Sequence, residues 1–536
     1  MKKLFLFLLF TIVILSSELN AQIDDYSLVM EEVNIESLPG VQSFAVGQVE
    51  GKWLIAGGRI EGLHLIQPFT SFADNLSNKN LIVVDPVSKE TWTAPLTSLS
   101  VSLQEQLSST NCNFFQEGNT LYFLGGYGYS STAADHVTYD KLTAIKLEEV
   151  INAIINNEPF AAYFRQISDP QFAVTGGHLE KIYDTYYLTG GNRFDGRYNP
   201  NNNSSFTQAY TDQVRKFHIE DDGTNLSVTH LTPYTDSENL HRRDYNVTAQ
   251  IMPDGKQGLT AFSGVFQIGV NLPFLNCVNI DSAGYTVNND FSQYYNHYHC
   301  ANIPIYDALK NEMHTIFFGG IAQYFDLNGV LTQDDNVPFV KTIARVSRNS
   351  QGVMTEHKLS IEMPGLLGAS SEFIPNTQLE HYENEVIKLN SFNEDSNFLG
   401  YIFGGISSTA ENIFFINDGT QSSATNKIFK VYLVKNEAVS VSRLNPQSIG
   451  TLKMQIYPNP VEDELKIKYN LDQKLDVDII IRDLSGKKLY EENYIDKEAG
   501  EHLFIKSVND IGESGIYIIK IQTAFESATQ KLILTK

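Results

Sequence analysis

The chain has 536 residues, 42% hydrophobic and 11% aromatic, which marks a folded protein too long for one ordinary core. Its net charge is −24, of which residues 450–536, with 12 basic and 15 acidic side chains, supply only −3. A surface this acidic repels nucleic acid and anionic membranes, so neither is expected as a partner.

The chain opens as a processing signal. Lys2 and Lys3 form a positive n-region, residues 4–15 are an apolar run, and Ala21-Gln22 offers a cleavage point. The run is too short to span a bilayer comfortably, no cysteine stands beside the cleavage point, and no later segment is apolar enough to cross a membrane. Residues 1–21 are therefore read as a signal peptide, and the rest as a protein exported from the cytoplasm. Residues 22–40 form an N-terminal segment that could lend a closing strand to the last repeat. Residues 437–443 could do the same, and the choice between them stays open.

From residue 41 a pattern repeats. A hydrophobic run ends in a glycine pair at Gly57-Gly58, Gly125-Gly126, Gly190-Gly191, Gly319-Gly320 and Gly404-Gly405, with a degraded copy at Ser263-Gly264. The first unit shows the element order. Residues 41–49 alternate as a strand, Gly51-Lys52 turns, and Trp53 to Ala56 is a short buried strand closed by its glycines. Residues 80–85 form a third strand, and Thr91-Trp92-Thr93 begins a fourth. Four short antiparallel strands repeated six times are what a β-propeller requires. The units run approximately 41–105, 110–170, 171–235, 242–295, 298–370 and 375–445. Residues 146–157 carry Leu147, Val150, Ile151 and Ile154 at helical spacing, the mark of a short amphipathic insertion. Glycine suits the end of the second strand, where neighbouring sheets approach closely and the chain exits sharply.

With Gly57-Gly58, Val84-Asp85-Pro86 and Trp92, the first unit resembles the kelch repeat; the others keep the glycines and lose the tryptophan. The resemblance implies a six-bladed kelch-like β-propeller over 41–445. It implies little about activity, since such propellers serve many functions.

After a linker at 446–453, residues 454–536 read as a small immunoglobulin-like β-sandwich. Residues 465–469, 477–482, 488–490, 515–521 and 531–534 are its strands, with a hairpin turn at 483–487. The Tyr457-Pro458-Asn459-Pro460 opening, the Asp483-Leu484-Ser485-Gly486 turn, Ser514-Gly515-Ile516-Tyr517 and the basic-apolar last strand resemble the type A C-terminal sorting domain of the type IX (Por) secretion system. That resemblance implies handling by the type IX machinery, passage through the periplasm, and release or attachment at the outer cell surface.

On one face of a propeller, loops after the second strands meet the starts of first strands. That face would gather Arg59, Tyr127, Asn192, Arg193 and Asp195 with His241, Arg242, Arg243, Asp244, His297 and His299. A partly cationic patch on an acidic protein points to an anionic or sugar ligand; loop solvation and salt bridges between sheets explain the same residues without one. His297 and His299 would share a strand face, but no third ligand follows by spacing, so structural histidines are the expectation rather than a metal site. Cys112, Cys277 and Cys300 cannot all pair. They read as small buried side chains, with a Cys277–Cys300 disulfide as the alternative.

No hydrolase elbow, phosphate loop or zinc-protease motif is present. The Tyr-Cys crosslink and paired His and Tyr ligands of copper radical oxidases, which share the kelch-like fold, are not reproduced at recognisable spacing. No cofactor and no metal are expected. The expectation is binding of glycan or protein without chemistry; a carbohydrate-active enzyme, of epimerase, mutarotase or lyase type, is the alternative.

Overall fold

The computed structural model describes residues 26–436 except 201–204, 296–297 and 328, together with 452 and 454–535 except 472–473, 484–486 and 524–526. The signal segment, the linker apart from Leu452, and the alternative closing strand at 437–443 lie outside the described residues. The chain divides into two compact units, 1–436 and 437–536, and both are all-β in their sheets.

Six antiparallel sheets follow one another along the first unit. Their first strands are Ala45–Val49, Asn113–Glu117, His178–Ile182, Asn246–Ile251, Asn302–Asp307 and Glu372–Pro375. In sheets one to five the next three strands follow in chain order, and sheet five gains a short parallel strand, Ile387–Lys388. Sheet six takes its outermost strand from the other end of the unit. Tyr26–Val33 pairs with Ile428–Lys435 over eight residues, so the N-terminal segment supplies the outermost strand of sheet six. Each first strand packs against the first strand of the next sheet, and the sixth against the first.

The alternation of side chains feeds two cores at once. Trp53 and Ile55 enter the core shared with sheet six, where Trp53 lies 5.1 Å from Tyr401 and 6.0 Å from Phe403, centroid to centroid. Leu54 and Ala56, pointing the other way, enter the core shared with sheet two. A strand buried on both faces has no polar side, hence the unbroken apolar runs before each glycine pair. The helix Leu147–Ile155 joins the core between sheets one and two through Leu147, Val150, Ile151 and Ile154.

The glycine pairs sit where one sheet meets the next. The second glycine donates its N–H to a carbonyl in the segment leading to the following sheet: Gly58 to Ser109 at 2.8 Å, Gly126 to Val174 at 3.0 Å, Gly191 to Arg242 at 2.7 Å, Gly320 to Leu367 at 2.9 Å and Gly405 to Val41 at 2.9 Å. The first glycine has no room for a side chain. At Gly125, with φ of +65°, a Cβ would stand 2.0 Å from the Val174 carbonyl oxygen.

The connections between second and third strands are long. Those of sheets two and three build a further four-stranded sheet from Tyr127–Ser130, Asp135–Thr138, Asn192–Gly196 and Phe206–Tyr210, which the sequence reading did not anticipate. Sheets five and six carry hairpins in the same place.

The second unit is a sandwich of a three-stranded and a four-stranded sheet. Leu465, Ile467, Val477, Ile479, Ile519 and Ile521 fill its core. Gly500–Ser507 and Met454–Tyr457 are strands in addition to those read from the sequence.

Gly125→Ala should lower the melting temperature far more than Gly118→Ala, because Gly118 shares the positive φ but has nothing within 4 Å of its would-be Cβ. The backbone term common to both is about 1–2 kcal/mol, and the clash adds to it only at Gly125. Equal shifts on thermal denaturation would show that the glycine is not a packing requirement.

Candidate functional site

A cavity of about 550 Å³ lies among the six first strands, all of which contribute to its lining. The segments entering those strands form one end, with Asn111, Cys112, Asp244, Tyr298 and His299, and His64 and Phe72 reach in from the long loop of sheet one. At the other end a strap, residues 376–395, runs from the first strand of sheet six toward sheets four and five. Asn384 donates to the Gln250 carbonyl at 3.0 Å, and Ile387 pairs with Ile305. The strap brings Thr377, His381 and Glu385 to the cavity.

The titratable groups are unequally matched. Asp244 accepts from Asn111 Nδ2 at 3.1 Å and from Arg243 Nη1 at 2.9 Å. His299 Nε2 pairs with Glu372 Oε1 at 3.1 Å. Burial opposes a charge on His299, but the Glu372 carboxylate outweighs it and raises the imidazole pKa. His178 stands edge-on to His299 with centroids 5.1 Å apart, and its Nε2 bonds the Tyr245 carbonyl. Burial, and then the neighbouring His299, push His178 down to about 3, so it is neutral. Burial likewise lowers His64 to about 4. Glu180, two residues beyond His178 on the same strand face, is pushed up to about 8, first by burial and then by the charges of Glu385 and Glu372. Desolvation by the surrounding protein also raises Glu385, although the residue as a whole is exposed.

Of the residues picked out from the sequence, Asp244 and His299 line this cavity, and His297 lies outside the described residues. The structure does not bring the others to it. Arg59 is buried, pairs with Glu61 and donates to the Ala73 carbonyl at 2.9 Å. Arg242 is buried over the Phe274 ring and donates to the carbonyls of Asn239, Ser263 and Asn276. Arg243 stands behind Asp244 and bonds the Tyr210 hydroxyl at 3.1 Å. Asn192 is buried and donates to the Thr175 carbonyl, while Arg193 and Asp195 pair with each other on the solvent-facing side of the same strand. Tyr127 donates to the Gly196 carbonyl, and His241 bonds Asp212 and stacks on Tyr210. The three cysteines are free thiols, two of them buried, so Cys277 and Cys300 do not form the alternative disulfide.

Sequence reasoning missed His64, His178, Glu180, Glu372 and Glu385. For His178, Glu180 and Glu372 a signal existed: they are ionisable residues inside first strands, the elements nearest the centre. Among the described residues no group of three His, Cys, Asp or Glu side chains is placed to hold a metal ion.

Residues 455–535 match the family described as the secretion system C-terminal sorting domain. The chain ends in a type IX sorting domain. Proteins so marked are exported by the type IX system to the cell surface or the extracellular space, and this protein is delivered there through that machinery. No helix among the described residues is long and apolar enough to cross a membrane. No curated protein matches the chain. Among solved structures, one titled "Structure of YjhT" is 11% identical, covers 74% of this chain and 98% of its own, and has a TM-score of 0.38. One titled "Cryo-EM structure of RAG in complex with one melted RSS and one unmelted RSS" is also 11% identical, covers 76% of this chain and 99% of its own, and scores 0.35. A glycoside hydrolase of family 32 from Bifidobacterium adolescentis is 8% identical, covers 95% of each chain, and scores 0.26. At these scores the likenesses carry no argument.

Glu180 gives the site a stability signature. Its carboxyl holds a proton more tightly folded than unfolded, where the ordinary value is about 4.3. Its contribution is therefore complete at low pH and is lost as pH rises through about 8. Glu180→Gln cannot ionise, so its advantage in melting temperature over the parent should widen between about pH 5 and about pH 8. Parallel curves for the two proteins would mean that the carboxyl titrates normally.

Proposed function

We propose that residues 26–436 form a six-bladed kelch-like β-propeller that binds a ligand of sugar size in its central cavity, outside the cell, without chemistry. The observation that carries this reading is the cavity of about 550 Å³ lined by the first strands of all six sheets. The cyclic packing of those strands and the closing strand Tyr26–Val33 support the ring. The enclosed position favours a small glycan over a protein ligand, which would need a broad flat face. The division into signal peptide 1–21, linker 446–453 and sorting domain 454–536 belongs to the same reading.

A second reading, acid/base catalysis on a sugar, draws on one feature. Glu180 would be protonated near neutral pH, on the strand face of a neutral His178, a pairing suited to proton transfer. Turnover of a bound sugar, followed by NMR, would favour it over binding alone.

Binding of a carbohydrate library to the purified protein, measured by calorimetry, tests the site. His299→Trp should weaken the best ligand about tenfold or more, by filling part of the cavity. Thr377→Trp, on the exposed strap at the cavity mouth, should block it, and Arg193→Ala should leave it unchanged. Undiminished binding by both cavity variants would move the site elsewhere. For export, deletion of 455–535 should trap the protein in the periplasm of a host with type IX secretion, read by fractionation and immunoblot. Normal surface delivery would overturn the role of that domain in this chain.

A further inference from the structure

The charge of the cavity has a definite sign. No lysine or arginine lines it among the described residues, whereas Glu180, Asp244, Glu372 and Glu385 do. Two of these acids are answered within the protein, Asp244 by Arg243 and Asn111, and Glu372 by His299. Among the described residues Glu180 and Glu385 have no such partner, and the Glu385 charge bears on Glu180. The neighbouring neutral histidines deepen the imbalance. His178 spends its Nε2–H on the Tyr245 carbonyl and His64 its Nδ1–H on the Leu65 carbonyl at 3.1 Å, so each keeps only an acceptor nitrogen. The unmatched groups lining the cavity therefore accept hydrogen bonds and attract positive charge.

A metal ion is a poor occupant, since no set of three ligating side chains among the described residues converges on a point. An organic ammonium meets both demands, with N–H donors for the acceptors and a positive charge that favours release of the Glu180 proton, so that it comes to lie between two carboxylates. We propose that the cavity takes a small molecule bearing a protonated amine, with the ammonium seated between Glu180 and Glu385. This rests on the cavity being the binding site, and it reverses the anionic ligand read from the arginines in the sequence. An amino sugar and an acyclic polyamine share the chemistry.

Calorimetry on the purified protein separates the cases. The probes are the glucosamine disaccharide with free amines, its fully N-acetylated form, spermidine and glucuronic acid. At least one amine probe should bind, with the acetylated disaccharide and the acid about tenfold weaker or worse. A preference for the disaccharide identifies an amino sugar, and a preference for spermidine a polyamine. Glu180→Gln and Glu385→Gln, each checked for an unchanged or raised melting temperature, should each weaken the amine about tenfold. Equal or tighter binding of the acetylated sugar or the acid, abolished by Thr377→Trp, overturns the ammonium assignment and keeps the cavity. Binding by no probe overturns both.

Discussion

The first unit depends on one hydrogen bond repeated five times. The second glycine of a pair gives its N–H to a carbonyl just ahead of the next sheet, with distances between 2.7 and 3.0 Å. Each bond is worth only about 1 kcal/mol net, but leaving such a buried N–H unmade would cost more. Its larger effect is positional. It fixes the end of one sheet's second strand against the entry to the next sheet's first strand, so the first strands take their places from the glycines. The bond from Gly405 to Val41 carries the pattern from the last sheet back to the first. Sheet four departs from it. The Gly264 carbonyl accepts from Phe274 instead, and the guanidinium of Arg242 ties the same loop down through Ser263 and Asn276.

Much of the sheet framework was legible because its determinants are local. The strand at 80–85 emerged with the bounds read for it from its short apolar run, and the helix near 147–155 followed from the spacing of Leu147, Val150, Ile151 and Ile154. The extra sheet from the loops of sheets two and three was not legible. Its pairing joins Asp195 to Val137, 58 residues apart, and neither loop signals the other. The outermost strand of sheet six had two local candidates, and the N-terminal one takes that place in an eight-residue register with Ile428–Lys435.

The site was legible in part, for a physical reason. Reasoning from loops favours arginines, because polar residues beside glycine turns look available. A guanidinium carries five donors, however, and in a crowded loop it satisfies them on nearby carbonyls. Arg59 and Arg242 do this, each holding the long loop of its own sheet, and Arg243 spends its charge on Asp244. Side chains within the first strands have fewer neighbouring donors to meet, because backbone N–H groups there belong to the ladder. Glu180 reaches the cavity from such a position, which alternation alone does not distinguish from an outward-facing residue.

The same distribution explains how an acidic protein concentrates charge without a matching base. An unpaired carboxylate in a dry core is costly, whereas one facing a cavity that holds water keeps part of its hydration. Lining that space with both Glu180 and Glu385 is then tolerable but not neutral, since each carboxylate makes ionisation of the other harder. A positive charge in that space would favour ionisation of both groups, and a negative charge would oppose it. The arginine clamps and the acidic cavity thus follow from a single division of labour. Positive charge is consumed in holding the loops that build the wall, and negative charge is left facing the space they enclose.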